Sequence, residues 1–199
     1  MKKIRRFTLV ELLAVMAIIA ILSGIGFGAY TYANNKAKES STEALMKQIE
    51  AGLESFHTKN GYYPVSGGDF SVVTITTAAD GTISGVNFGS SDSELTRNAA
   101  PSTRKDRMKN EMFETFTKAL DLEVIKKHLD NSNRLEDAWG GKIYYCSPGK
   151  FNKGTFDLIS AGPDGEFSSD NAADPTGTTD LAKFREDDGT RLCDDLFNF

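Results

Sequence analysis

Apolar residues are concentrated near the start of the 199-residue chain. An uncharged run extends from Leu12 to Ala33, and its 22 residues would form a helix of roughly 33 Å, enough to cross the hydrocarbon core of a bilayer. Four cations occur within residues 1–6, which favours a cytoplasmic N-terminus. Glu11 lies at the edge of the run, where a carboxylate is costly in lipid. The pattern therefore predicts a membrane helix whose edge carboxylate has a partner for its charge.

Beyond the uncharged run, the apolar positions follow helical spacing. Between Lys36 and Lys59 they recur at intervals of four, four and three, which is one stripe of an amphipathic helix, formed by Leu45, Ile49, Leu53 and Phe56. Asn60 and Gly61 then supply a C-terminal stop, with Pro64 beyond it. We therefore predict a single helix of roughly 50 residues, half in the membrane and half packed on a globular head.

The middle of the chain changes to β-type and then back to helical patterning. Two β-rich runs, Phe70–Thr76 and Thr82–Phe88, flank an Asp-Gly turn and predict a hairpin. The polar stretch 90–102 predicts a loop. Helical spacing returns in 106–129, with Asp121 as the cap of a short second helix and with one apolar face made by Met108, Met112, Phe116 and Leu120.

The last third of the chain is β-rich. Ile143–Cys146 and Thr155–Ser160 predict paired strands across a Pro-Gly turn region. Taken with the helices, this pattern predicts an α+β protein.

Charge is distributed asymmetrically along the chain. Residues 1–6 carry +4 of a net −5, so the remainder carries −9, from 19 Lys and Arg against 28 Asp and Glu. An acidic exterior domain argues against nucleic-acid binding and is compatible with divalent cations. His57 and His128 lie in no metal-spacing motif, and no nucleophile elbow, P-loop or zinc-protease motif occurs. We therefore expect no enzymatic activity.

The N-terminal segment has three interpretations. A cleaved signal peptide has a shorter apolar region than this one and ends at a small-x-small site, for which Thr31–Ala33 is the only plausible candidate. A plain transmembrane anchor would not need Glu11. The third interpretation comes from a resemblance: Phe7–Leu13, FTLVELL, is similar to the processing site of type IV pilins and type II secretion pseudopilins, usually Gly-Phe-Thr-Leu-Ile/Val-Glu-Leu-Leu.

That resemblance implies roles for three residues. In the family, an inner-membrane prepilin peptidase cuts before the Phe and N-methylates the new terminus. The cut would then fall between Arg6 and Phe7, and Phe7 would be methylated. Glu11 would pair with the N-terminal amine of a neighbouring subunit in a filament. Arg6 stands where the family usually has Gly.

Two later blocks resemble the major pseudopilin of type II secretion. Asp137–Tyr145, DAWGGKIYY, is similar to Asp-Pro-Trp-Gly-x-Pro-Tyr-x-Tyr, with Ala138 in place of the first Pro, and Phe156–Gly165, FDLISAGPDG, matches in order and spacing. The resemblance implies a type IV pilin-like fold, in which the long N-terminal helix packs on an antiparallel β-sheet head. The resemblance also implies three parts of the chain: a leader (1–6), a membrane and filament-core helix (7–33) and a head (34–199). The head would comprise a continuing helix (34–60), a variable hairpin and helical insertion (66–133) and a sheet with an acidic loop (134–199).

The acidic loop after Ser160 is the candidate ligand site. Its Asp164, Asp170, Asn171 and Asp174 could supply some of the six to eight oxygens that calcium binds, but on composition alone the signal is weak, because most acidic loops are simply solvated. The resemblance implies a structural calcium ion held by the carbonyl of Ala161, by Asp164, and by Asp170 or Asn171.

Two cysteines, Cys146 and Cys193, both follow the apolar run. Outside the cytoplasm they can form a disulfide, which would close a loop of about 48 residues and contribute about 4 kcal/mol in the chain-entropy model. Two reduced, partly buried thiols are the alternative.

These observations predict a structural subunit of a type II secretion pseudopilus, anchored once in the bacterial inner membrane with its head in the periplasm. Its expected partners are further copies of itself, the prepilin peptidase, the inner-membrane assembly platform and other pseudopilins. A type IV pilus subunit, used for adhesion, motility or DNA uptake, is the closest alternative. A secreted binding domain or enzyme behind a signal peptide is the alternative from a different class.

Overall fold

The structure is a computed structural model, and it describes residues 8–90, 94–97, 100–167, 175–176, 184 and 196–198. The chain forms two compact units, Met1–Lys38 and Glu39–Phe199. The first helix, α1, comprises Leu9–Asn60 and has 52 residues, which confirms the single long helix predicted from the sequence. Its N-terminal part is long and apolar enough to cross a membrane.

The head unit combines helices with two antiparallel sheets. After α1 its elements are β1 Ser71–Val72, β2 Thr74–Thr77, β3 Ile83–Asn87, β4 Leu95–Thr96, α2 Arg104–Thr117, α3 Leu122–Lys127, β5 Ile143–Cys146, β6 Asp157–Ser160 and β7 Leu196–Phe197. One sheet has the order β1-β5-β6-β7 and the other the order β2-β3-β4. The α+β, pilin-like fold class is therefore confirmed.

The predicted hairpin forms, with one difference. Strands β2 and β3 pair with Ile75 opposite Val86, and Gly81 adopts a φ of +77° in the turn between them. Residues Ser71–Val72, which the sequence pattern placed in the first arm, instead pair with β5 in the other sheet. The predicted 90–102 loop contains the two-residue strand β4, which pairs with β3 through its main chain and has one buried side chain, Leu95. A single apolar residue gives no alternation from which a strand could be predicted.

The amphipathic stripe of α1 forms the centre of the main core. All four predicted residues, Leu45, Ile49, Leu53 and Phe56, are at most 2% exposed. Aromatic rings from other elements complete this core: Phe88 lies 4.8 Å from Tyr145 and 5.3 Å from Phe116 between ring centroids. Burial of this stripe explains why the second half of α1 is stable in water.

Helix α2 shows a correction to the predicted apolar face. Met108 is 47% exposed, whereas Phe113 and Phe116 are buried. Of the predicted face, Phe116 is buried and Met112 and Leu120 pack against the core, so the correction concerns Met108. Phe113 is buried in addition, because an aromatic side chain gains more free energy on burial than a Met at the helix start. The predicted cap is confirmed, since the Asp121 carboxylate accepts bonds from the Glu123 and Val124 amides at 3.1 and 3.3 Å.

The sheet β1-β5-β6-β7 is covered on both faces. Along β5, Ile143 and Tyr145 belong to the main core, while Tyr144 and Cys146 belong to a second cluster with Phe70. Successive side chains of a strand point to opposite faces, so a strand with four buried residues must have cover on each side. The end of β6 is thereby fixed, and the acidic loop begins there.

Candidate assembly segment and acidic loop

The first turn of α1 holds Glu11 in a reciprocal capping box. The amide and hydroxyl of Thr8 donate to Glu11 Oε2 at 2.8 and 2.9 Å, and the Glu11 amide donates to Thr8 Oγ1 at 3.2 Å. A Thr-x-x-Glu sequence satisfies two otherwise unpaired helix donors in this way. Arg6 and Phe7, the predicted processing residues, lie outside the described residues. Within a single subunit, then, the Glu11 carboxylate is held against Thr8 in the first turn of the helix.

The apolar part of α1 is exposed in the part of the chain that the structure describes. Ten large apolar side chains between Leu9 and Leu22 are 52 to 75% exposed. Contiguous apolar surface of this extent is typical of a segment that contacts lipid or other protein. The geometry favours a membrane helix or the core of a multi-subunit bundle.

In the head, a buried carboxylate organises the tryptophan motif. Asp137 is 4% exposed, and its Oδ1 accepts bonds from the amides of Trp139 and Gly141, both at 2.8 Å. A Cβ at Gly141 would lie 2.7 Å from Asp137 Oδ2, so only glycine fits this close approach. The other carboxylate oxygen, Oδ2, accepts a 2.6 Å bond from the hydroxyl of Ser160.

The acidic loop begins directly after Ser160. The Ser160 hydroxyl accepts a bond from the Gly162 amide at 3.3 Å, and Asp164 Oδ1 accepts one from the Glu166 amide at 2.9 Å. Gly162 and Gly165 have φ values of +68° and +75°, which permit the tight turn.

Half of the predicted calcium ligands lie in this described turn. Ala161 offers a carbonyl at the end of β6 and Asp164 a carboxylate three residues later, and both are hard oxygen donors of the kind that calcium prefers. Asp170 and Asn171 lie outside the described residues. The described residues contain no group of three His, Cys, Asp or Glu side chains arranged to hold a metal. The part of the donor set that is described fits calcium in its chemistry.

Two family comparisons match these two regions. Residues 1–27 match the family described as prokaryotic N-terminal methylation motif, and residues 113–177 match type II secretion system protein G. In these regions the chain is similar to pseudopilins of the protein G type. Searches among curated proteins and among solved structures gave no significant match. The second match includes the tryptophan motif, strands β5 and β6 and the start of the acidic loop.

Two buried polar residues of the head were missed by sequence reasoning. Ser160 and Asp157 are fully buried on β6. The Asp157 carboxylate accepts bonds from the amides of Phe151 and Asn152, both at 2.8 Å, and so shapes the loop between β5 and β6. An acidic residue inside an otherwise apolar strand is a signal for such a role. A carboxylate buried in a strand needs hydrogen-bond partners, so Asp157 could have been expected to bind nearby amides.

The segment after α1 is tied to the helix by Tyr63. Its ring stacks on His57 with centroids 4.3 Å apart, and its hydroxyl donates to Glu54 Oε1 at 2.8 Å. Burial, together with this bond and the negative charge of Glu54, raises the pKa of Tyr63 to about 12. Next along the chain, the carbonyl of Pro64 accepts a 2.7 Å bond from the Tyr145 hydroxyl. The Asn-Gly-Tyr-Tyr-Pro segment therefore links α1 to the sheet.

Cys146 is buried on β5, and burial raises the pKa of its thiol. It has no disulfide partner among the described residues, and Cys193 lies outside them. The pairing of these two cysteines stays a prediction.

Proposed function

We propose that this type II secretion pseudopilin assembles through α1 into a filament whose growth drives exported protein across the outer membrane. The main support is that the apolar side chains in the first half of α1 are exposed among the described residues and that the first turn contains a single carboxylate, Glu11. Such a segment is suited first to lipid and then to a bundle of identical helices. Its partners in this proposal are other copies of the chain, other pseudopilins and the inner-membrane assembly platform.

Processing would precede assembly. The N-terminal methylation match supports cleavage between Arg6 and Phe7 by a prepilin peptidase and methylation of Phe7. Removal of residues 1–6 takes away four positive charges that would be costly to carry into a filament core. The terminal amine of Phe7 then remains as a cation near Glu11.

Glu11 would set the register between subunits. In lipid an unpaired carboxylate is unfavourable, and it becomes tolerable when an amine of a neighbouring subunit neutralises it where water is scarce. The ion pair between Glu11 and the amine of the neighbouring subunit would supplement or replace the hydrogen bonds that Glu11 accepts from Thr8. Because only one register brings the amine to Glu11, the ion pair favours one stagger of the helices.

The proposed location is the bacterial inner membrane, crossed once, with the head in the periplasm. The cations before the apolar run support this orientation. The head itself takes a structural role, and we assign it no catalytic step.

Calcium would act in the acidic loop as a structural ion. Ala161 and Asp164, with Asp170 or Asn171, would hold it. When bound, it would neutralise clustered carboxylates and join the two ends of a loop that follows the edge of the core.

The decisive experiment combines the mature N-terminus with assembly. In membranes of a host carrying the secretion system, mass spectrometry should find a chain that begins at methylated Phe7. Glu11→Gln, which keeps shape and removes charge, should leave processing and the melting temperature of the head unchanged and reduce cross-linked filaments at least tenfold. Glu43→Gln, on the same helix within the head unit, is the charge-matched control. A chain that begins near Asn34, or normal filaments from Glu11→Gln, would contradict the proposal.

A further inference from the structure

The bonds of Ser160 have a geometric consequence for the acidic loop. Ser160 is fully buried, and its hydroxyl serves as donor to Asp137 Oδ2 at 2.6 Å and as acceptor from the Gly162 amide at 3.3 Å. That amide belongs to the same planar peptide group as the Ala161 carbonyl. In a trans peptide the N–H and C=O point in opposite directions. The Ser160 hydroxyl therefore fixes the direction in which the Ala161 carbonyl points.

The Asp137 carboxylate is itself held in place. Its Oδ1 is fixed by the Trp139 and Gly141 amides, and the close packing at Gly141 restricts Oδ2. The main chain of the motif closes on itself as well, since the Asp137 amide donates to the Gly141 carbonyl at 2.7 Å. Oδ2 is thus presented to Ser160 by a preformed turn.

This turn is also attached to the long helix. The amide of Ala138 donates to Thr42 Oγ1 at 3.1 Å, and Thr42 is fully buried on α1. Hydrogen bonds therefore run from α1 through the tryptophan motif and Ser160 to the first peptide of the acidic loop.

We propose that Asp137 and Ser160 are positioning residues for the acidic loop: together they orient the Ala161–Gly162 peptide so that the Ala161 carbonyl is presented to a cation beside Asp164. Neither residue is itself a ligand in this proposal. The cation-binding part rests on the calcium site proposed above. The orientation of the peptide rests only on the described bonds and is tested separately.

The test uses the full chain in detergent micelles, with calcium chloride as the probe. Ser160→Ala removes one oxygen and frees the Gly162 amide. Asp137→Asn retains Oδ1 for its two amides and replaces the acceptor that faces Ser160 with a donor. Each should weaken calcium binding about 10- to 100-fold in calorimetry, the range typical for loss of a group that orients a metal ligand. Since the two residues act in series, the double variant should be little weaker than either single variant.

Ser84→Ala is the matched control, because its hydroxyl also donates to one carbonyl, that of Thr76 at 3.2 Å, but on the exposed side of β3. It should leave calcium affinity unchanged. A purely structural role of Ser160 would lower the melting temperature equally with calcium and with chelator. A positioning role instead reduces the gain in melting temperature that calcium produces.

Hydrogen exchange in chelator provides the second measurement. For a peptide covering 161–166, Ser160→Ala should exchange faster than wild type while a peptide from α1 is unchanged. If wild type binds no calcium, the calcium site is wrong, and faster exchange in Ser160→Ala still supports the positioning role. Unchanged calcium affinity in a calcium-binding protein, or unchanged exchange of the 161–166 peptide, would overturn the proposal.

Discussion

At the scale of residues, Ala138 changes what the tryptophan motif can bind. The similar motif of protein G pseudopilins has Pro at this position, and Pro has no amide hydrogen. In this chain the Ala138 amide donates to the hydroxyl of Thr42. Having Ala138 in place of Pro therefore allows a hydrogen bond that anchors the motif to α1.

Thr42→Val should lower the free energy of unfolding of the head by about 1–3 kcal/mol, because the nearly isosteric side chain leaves the Ala138 amide without an acceptor. In an Ala138→Pro background the same change should cost less than about 0.5 kcal/mol, since no donor remains to be satisfied. Urea unfolding of the four combinations measures the coupling. Thr58→Val, whose hydroxyl donates only to the Glu54 carbonyl of its own helix, is the control. Equal costs of Thr42→Val in both backgrounds would contradict the anchor.

At the scale of elements, α1 and α2 approach each other closely at Gly52. This residue is buried, and a Cβ there would lie 2.9 Å from both Cε2 and the carbonyl oxygen of Phe116. Glycine in a helix interior is normally unfavourable by about 0.5–1 kcal/mol relative to alanine. Its presence in α1 is explained by the position of Phe116.

Gly52→Ala should therefore destabilise the head by about 1–3 kcal/mol, whereas Gly→Ala in a helix interior usually stabilises. The added Cβ would clash with the Phe116 carbonyl, which belongs to the main chain and cannot move away by a side-chain rotation. Thermal unfolding followed by circular dichroism measures this. Gly28→Ala is the helical control: a Cβ there meets nothing within 4 Å, so the head should melt as in wild type. A stabilised Gly52→Ala variant would show that the two helices separate easily.

The link between α1 and the following turn should be sensitive to alkali. Because the folded state raises the pKa of Tyr63 from 10.0 to about 12, the unfolded chain loses this proton first, and stability falls as the pH rises from about 10 to about 12. Tyr63→Phe should remove this part of the loss. Urea midpoints between pH 9 and 12 test this, with Tyr62→Phe as the neighbouring control. If the urea midpoint of Tyr63→Phe changes with pH in parallel with that of wild type, the pKa of Tyr63 is not raised in the folded state.

At the scale of the whole molecule, the two units differ in whether their apolar side chains are exposed or buried. Large apolar side chains in the first half of α1 are exposed among the described residues, whereas the second half supplies the centre of the head core. In the periplasm, the location proposed above for the head, a disulfide could form and persist.

We expect a Cys146–Cys193 disulfide in protein isolated from the native host. Intact mass measured before and after reduction should differ by two hydrogens, and reduction should lower the melting temperature, because the bridge closes a loop of about 48 residues and is worth about 4 kcal/mol. Cys146→Ala with Cys193→Ala should melt like the reduced wild type. Two free thiols in the unreduced protein, detected by alkylation after unfolding, would contradict the bridge.

The sequence by itself determined the features that depend on local order: the long helix, its buried stripe, the hairpin, the Asp121 cap and the pairing of β5 with β6. Hydrophobic periodicity and capping chemistry act between residues close in the chain, so these features can be inferred without tertiary structure. The N-terminal motif and the tryptophan motif likewise indicate the family from the sequence alone.

Tertiary structure alone decided the contacts between distant residues. The transfer of Ser71–Val72 to the other sheet, the short strands β4 and β7, the buried face of α2 and the role of Gly52 all depend on neighbours far along the chain. The same is true of the bonds that join Thr42, Ala138, Asp137 and Ser160. A buried polar group is stable only with a partner in the right place, and that place is fixed by how the helix and the sheet pack, which no local pattern encodes.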